Sequence, residues 1–241
     1  MNDPIRLAVN GATGRMGARV CDLATQDTRF DLVARCGSAT DWGALPTFDV
    51  LVDFSSPEGL SHALDYCAAH GIALVSGTTG LDAALVRHMD SAAMRIPLLH
   101  AANFSLGIAV LTRLLREAAA ALPTWDLDIG EVHHAAKRDA PSGTALALGR
   151  AAAAARRVDF DAVAAINRDG VRKPGSIGFA SMRVGDVVGE HSAWLAAPGE
   201  RLELGHRATD RVIFVRGALQ AAAWVAGRAP GHYTLQDMIG A

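Results

Sequence analysis

Cysteine, net charge and long apolar runs are what this chain of 241 residues has little of, and each shortage closes off a class of function. Its three cysteines, Cys21, Cys36 and Cys67, form no CxxC pair and no metal-type spacing. That excludes a disulfide framework and reads as reduced, buried thiols in a cytosolic protein. Lys plus Arg number 23 against 25 Asp plus Glu, a formal net charge of −2, so there is no electrostatic case for nucleic acid or an anionic membrane. The tight basic clusters, Lys137-Arg138 and Arg156-Arg157, are short. Apolar runs are brief or broken by charge, so none is expected to span a bilayer. Met1-Asn2-Asp3-Pro4 runs directly into a β-type segment, so no signal peptide is expected. Repeats and low-complexity tracts are missing too. The expectation is a soluble cytoplasmic protein with neither nucleic acid nor membrane as partner.

What is present is apolar material, half of all residues, enough to bury a core in one or two domains. Ile5–Asn10 is a β-type run that stops at Gly11, and Met16, Val20, Leu23 and Ala24 follow at helical spacing. Further strands are expected at Phe30–Cys36, Val50–Phe54, Ile72–Val75 and Ile96–His100, with helices over Gly59–His70 and Leu81–Met94 between them. Strands alternating with helices predict a parallel sheet with right-handed crossovers, and their unbroken apolar character suits strands covered on both faces. The rhythm changes after Asn103. A helix over Leu106–Leu122 leads to a strand at Trp125–His133 and an Ala-rich helix at Ser142–Arg157. Four β-type runs follow, Val163–Asn167, Ile177–Arg183, Ser192–Ala197 and Arg201–His206, before an apolar helix at Gly217–Gly227. The fold expected is α/β: an N-terminal Rossmann dinucleotide-binding domain, 1–104 completed by 216–241, and a second α+β domain, 105–215, built on an open, mainly antiparallel sheet.

Gly11-Ala12-Thr13-Gly14-Arg15-Met16-Gly17 lies between the first strand and the first helix. Small residues there let the backbone turn tightly and approach a pyrophosphate at the helix N-terminus. An NAD site usually has an acid at the end of the second strand, bonding the ribose 2′-OH. Here that place holds Ala34-Arg35-Cys36-Gly37. Arg35 suits a 2′-phosphate, so NADPH is expected over NADH; the alternative is an ordinary surface arginine. Gly77-Thr78-Thr79-Gly80 and Ala101-Ala102-Asn103-Phe104 leave the carboxyl ends of later strands, where ligands of open α/β sheets bind. Thr78 and Thr79 offer groups to a carboxamide, and Phe104 can wall a nicotinamide ring.

Gly130–Leu146 carries the second constellation. His133, His134 and Lys137 precede Ser142-Gly143-Thr144, which opens the Ala-rich helix. Proton donors and cations then stand beside a helix N-terminus, where backbone N–H groups and the macrodipole attract an anion such as a carboxylate. Taken singly, His134 reads as a structural hydrogen bonder and Lys137 as a solvated charge. A metal site lacks a convincingly placed third ligand.

Together these residues resemble the 4-hydroxy-tetrahydrodipicolinate reductase (dihydrodipicolinate reductase) family of bacterial lysine and diaminopimelate biosynthesis, along nearly the whole chain. The resemblance rests on Gly11–Gly17, Gly77–Gly80, Ala101–Gly107, Glu131–Ala145 and Gly189 through Arg211. It implies hydride transfer from NAD(P)H to a cyclic unsaturated imine dicarboxylate, no metal, and a homotetramer assembled through the second domain. It also implies that His133 donates or accepts the proton, that Lys137 is a second proton donor, and that His134, Ser142, Gly143 and Thr144 bind substrate. The family often carries an acid near the end of the second strand where this chain has Ala34, a departure that bears on NADH use. Which of His133 and Lys137 delivers the proton stays open at this level. His191, His206, Arg183 and Arg211 belong to the second domain without an assigned role. The competing readings are another amino- or imino-acid dehydrogenase, which has no reason to keep the whole His133–Thr144 constellation, and a non-catalytic NADP(H) sensor.

Overall fold

A computed structural model describes residues 3–166 and 168–240. The chain divides into two compact units, one running to Leu106 and resumed from Val212, the other spanning Gly107–Arg211.

The first unit opens with β1 (Ile5–Asn10), α1 (Arg15–Ala24), β2 (Phe30–Cys36), β3 (Val50–Asp53), α2 (Pro57–His70), β4 (Ala73–Ser76), α3 (Ala83–Ala93) and β5 (Pro97–His100). Strands β3 and β4 are buried along their whole length, the mark of parallel strands covered on both faces. Capping sets the helix starts: the Ser56 hydroxyl accepts from Gly59 N–H at 3.1 Å ahead of Pro57, and Asp82 accepts from Leu85 N–H at 2.8 Å.

The second unit takes up α4 (Leu106–Ala121), β6 (Asp126–His133), α5 (Gly143–Ala155), the single turn α6 (Phe160–Val163), β7 (Ala164–Ala165), β8 (Ile177–Arg183), β9 (Gly189–Ala197) and β10 (Glu200–Ala208). Its sheet runs β10-β9-β6-β8-β7. Here the structure departs from the expected mainly antiparallel sheet, because the sheet is mixed. Strand β9 pairs antiparallel with β6 and β10, whereas β8 pairs parallel with β6 and β7. The cause is α5, which carries the chain back over the sheet between β6 and β8 and so makes a β-α-β crossover. The strand expected at Val163–Asn167 shrinks to Ala164–Ala165, with Val163 ending α6 and Asn167 outside the described residues. The core of this unit lies where α4 and α5 cover one sheet face, around Leu111, Leu115, Leu127, Ile129, Leu148 and Leu195.

The chain returns to the first unit as α7 (Val212–Val225), β11 (Gly231–Tyr233) and α8 (Leu235–Gly240). Helix α7 begins five residues before the expected Gly217, since Val212–Val215 already continue its apolar face. Strand β11 went unforeseen; it lies parallel to β5 and gives an all-parallel sheet ordered β11-β5-β4-β3-β1-β2. Among the described residues no helix is long and apolar enough to cross a membrane.

Candidate active site

In the first unit the residues expected to hold the dinucleotide collect at one edge of the sheet. Register places Asn10, Asp53, Ser76 and His100 side by side at the carboxyl ends of β1, β3, β4 and β5. The loop Gly11–Gly14 is tied to β2 by Ala12 N–H donating to Cys36 O at 3.0 Å. A Cβ on Gly17 would lie 2.1 Å from Gly11 O, and one on Gly11, at φ +74°, 2.4 Å from Phe54 O, so only glycine lets helix, loop and strand pack this closely. Beside the loop lies a cleft of about 380 Å³ lined by Asn10, Gly11, Thr13, Gly14, Gly37 and Trp42 among others. Gly14 stands at the N-cap of α1, and no side chain among the described residues caps that turn, which leaves its N–H groups for an anion. Arg15 and Met16 begin the helix. These features fit a dinucleotide's pyrophosphate.

The other expected contacts are distributed less evenly. Arg35 is exposed on β2, and Gly37 and Ser38 just beyond it line the cleft. Thr79, Gly80 and Ala102 are exposed and Gly77, Ala101 and Asn103 half-buried at their loops. Thr78 is buried, its hydroxyl engaged by Asp53 at 2.7 Å and its carbonyl accepting from His100 Nε2 at 3.0 Å. Phe104 is 2 % exposed and meets Phe54 edge-on at 5.7 Å, so its ring sits in the core.

Under these loops lies a residue the sequence did not single out. Asp53 is fully buried, and its carboxylate accepts from Asn10 Nδ2 (2.9 Å), Ser55 Oγ, Ser76 Oγ (2.8 Å) and Thr78 Oγ1 (2.7 Å). Asn10 Oδ1 in turn accepts from Gly11 N–H at 3.1 Å. One side chain thus joins two of the three expected cofactor loops, Gly11–Gly17 and Gly77–Gly80.

In the second unit His133 ends β6, with the carbonyl of His133 accepting from Val184 N–H at 2.8 Å. Two residues earlier on the same strand, and therefore on the same face, is Glu131, 1 % exposed. Its Oε2 bonds His133 Nδ1 and accepts from Arg183 Nη1 at 2.9 Å, while Oε1 accepts from Arg183 Nη2 at 2.8 Å and from Ser142 N–H at 3.2 Å. Burial alone raises the Glu131 carboxyl, but hydrogen bonds from Arg183, Ser181 and His133 outweigh it and hold it at about 2. His133 is shifted below the ordinary histidine value, first by burial, against Glu131, and further by Lys137 and Arg183.

Ser142 is the N-cap of α5, its hydroxyl accepting from Ala145 N–H at 3.2 Å. Pro141 lies one residue ahead of that cap, outside the helix. Gly143 is exposed and Thr144 half-buried in the first turn of α5. Lys137 pairs with Asp139 at 2.8 Å, and the Asp139 carbonyl accepts from Arg183 Nη2, so the turn between β6 and α5 is held from both sides. His134 is half-buried, with its carbonyl accepting from Lys137 N–H at 3.1 Å. His191 on β9 completes the cluster. Its ring meets His133 edge-on at 5.1 Å, and its Nε2 lies 3.2 Å from Ser142 Oγ. Burial first, and then His133, push it down to about 4, so it is neutral near pH 7. Period-two spacing from His133 was the signal that could have found Glu131; Arg183 and His191 needed the register of β8 and β9.

The family model described as dihydrodipicolinate reductase, N-terminus, matches residues 5–104, and that described as dihydrodipicolinate reductase, C-terminus, matches residues 107–239. The chain belongs to the dihydrodipicolinate reductase family. A 4-hydroxy-tetrahydrodipicolinate reductase of Xanthomonas campestris is 45 % identical over 98 % of both chains, and one of Caulobacter vibrioides 42 % identical over 100 % of this chain and 99 % of its own. Among solved structures, a dipicolinate-bound dihydrodipicolinate reductase from Paenisporosarcina sp. TG-14 shares the fold at a TM-score of 0.80, 22 % identity, and coverage of 98 % and 99 %. A diaminopimelate dehydrogenase of C. glutamicum shares it more loosely, at a TM-score of 0.57, 15 % identity, and coverage of 98 % and 94 %. Membership makes the chain a dinucleotide-dependent oxidoreductase.

Proposed function

We propose that this protein reduces 4-hydroxy-tetrahydrodipicolinate to tetrahydrodipicolinate with NAD(P)H, in the diaminopimelate route to lysine. The hydroxyl leaves as water, and one hydride and one proton are added. The observation that carries the reading is the cluster on β6 and α5: a buried histidine with one nitrogen tied to a carboxylate, a lysine four residues on, and a helix N-terminus. The loop Gly11–Met16, with Gly77, Thr78, Thr79 and Ala101–Phe104, would hold the dinucleotide, which supplies the hydride when bound. His133 exchanges the proton, Lys137 offsets negative charge, and His134, Ser142, Gly143 and Thr144 bind a carboxylate. A bound anion opposes the downward shift of His133, because a negative charge beside it favours the imidazolium. Domain 105–215 is thus the substrate-binding part and 1–104 with 216–241 the cofactor-binding part.

Oxidation of NADPH, followed with the product of dihydrodipicolinate synthase as substrate, tests the reading. Turnover is expected; intact NADPH binding without turnover sinks it and favours a sensor. NADPH is the preferred cofactor on the strength of Arg35 and of Ala34 beside it. In Arg35→Ala, kcat/KM for NADPH is expected to fall by about 10-fold, the scale of a lost charge-assisted hydrogen bond, with NADH use little changed. A wild-type enzyme that prefers NADH overturns this.

The homotetramer is assigned to the second domain. Val132, Ala180, Met182 and Trp194 share one face of its sheet by register, and Met182 is 55 % exposed there. Sedimentation at micromolar concentration checks it, with a monomer as the contrary result.

A further inference from the structure

We propose that Glu131, clamped by Arg183, is a positioning residue that fixes the His133 ring with its proton on Nδ1, so that Nε2 is the atom exchanging a proton with the ligand. This rests on the reading of His133 as proton donor. An ionised carboxylate only accepts hydrogen bonds. Glu131, held ionised by the Arg183 fork and buried to 1 % exposure, therefore requires a hydrogen on the His133 nitrogen that faces it. The other nitrogen is left bare in the neutral ring and gains its hydrogen only on protonation.

The surroundings keep the ring in that orientation. The edge of His191 packs on it, and a Cβ at Gly189 would lie 3.0 Å from Nε2, so glycine alone leaves that nitrogen uncrowded. The charged and titratable groups about it are Glu131 on β6, Arg183 on β8, His191 on β9, and Lys137 in the turn that follows β6. Glu131 also accepts from Ser142 N–H, so one carboxylate sets both the proton-carrying ring and the start of α5, where the ligand's anion is expected. A carboxylate that orients a histidine in this way is worth far more in turnover than in binding when it sets the tautomer.

A purely structural ion pair would lower stability in Glu131→Gln and leave the tautomer of His133 alone. The experiment is imidazole ¹⁵N NMR of the full chain, with pH–rate profiles for wild type, E131Q and R183M. In wild type the neutral His133 ring is expected to carry its hydrogen on Nδ1. In E131Q both tautomers are expected, with the ring titrating lower because an anion has gone, and kcat reduced by about 10²-fold while KM moves less than about threefold. In R183M the ring is expected to titrate higher, because a cation has gone. An unchanged tautomer in E131Q overturns the proposal. If E131Q does not fold, R183M decides alone: an unmoved titration overturns it. Normal turnover in His133→Gln would instead remove the proton-donor reading, and the NMR result would still decide what Glu131 does.

Discussion

His133→Gln is expected to lower kcat by roughly 10²-fold or more, the usual size of lost acid catalysis. Glutamine preserves much of the volume and leaves Glu131 a hydrogen-bond donor, but it has no group that titrates. The loss should therefore fall on the proton step and spare dinucleotide binding, since the residues assigned to the dinucleotide belong to the first unit. Lys137→Met is expected to cost turnover on a similar scale, through lost charge stabilisation. Its pairing with Asp139 is largely solvent-exposed on the acid's side and contributes little to stability, so the variant should melt near wild type. Steady-state kinetics at saturating NADPH check both. Near-normal turnover in either variant removes that residue from its role, and the pair of measurements decides the division of labour that sequence alone leaves open.

How far the sequence went follows from which forces are local. Strands β3 and β4, buried end to end, announce themselves as apolar runs, and the helices expected from Gly59 and Leu81 are there within two residues, starting behind the caps Ser56 and Asp82. The His133–Thr144 segment was legible because one short stretch carries both the histidine and the helix cap. Strand direction is a property of the crossover, not of the strand. The pattern of β8 is the same whether it runs with or against β6, and α5 decides between them. Partners distant in sequence were harder still. Arg183 reaches Glu131 across 52 positions and Ser142 meets His191 across 49, so neither pair leaves a local trace. β11 has three residues and takes its identity from the open edge of β5.

Asp53 is the extreme case, and the second large effect is expected there. Asp53→Asn keeps the shape but exchanges one carboxylate oxygen for an NH₂. If that NH₂ turns toward Ser76 and Thr78, it meets two hydroxyls that now donate to Oδ2; if it turns the other way, it meets Asn10 Nδ2 and Ser55 Oγ, which donate to Oδ1. Either orientation breaks two bonds to a buried charge, and Ser76 Oγ is already committed to accepting from Thr78 N–H at 3.2 Å. At about 1.5–3 kcal/mol for each such bond, the loss is about 3–6 kcal/mol. For a chain of this size that corresponds to a fall in Tm of about 10 °C, read by thermal unfolding. Because Asn10 holds Gly11 N–H and Thr78 opens the second loop, NADPH should also bind about 10-fold more weakly, equivalent to about 1.4 kcal/mol of lost preorganisation. Proton transfer at His133 should be spared once NADPH saturates. A variant that melts with wild type and binds NADPH unchanged would show that the four donors are satisfied without the charge, and that the carboxylate does not organise these loops.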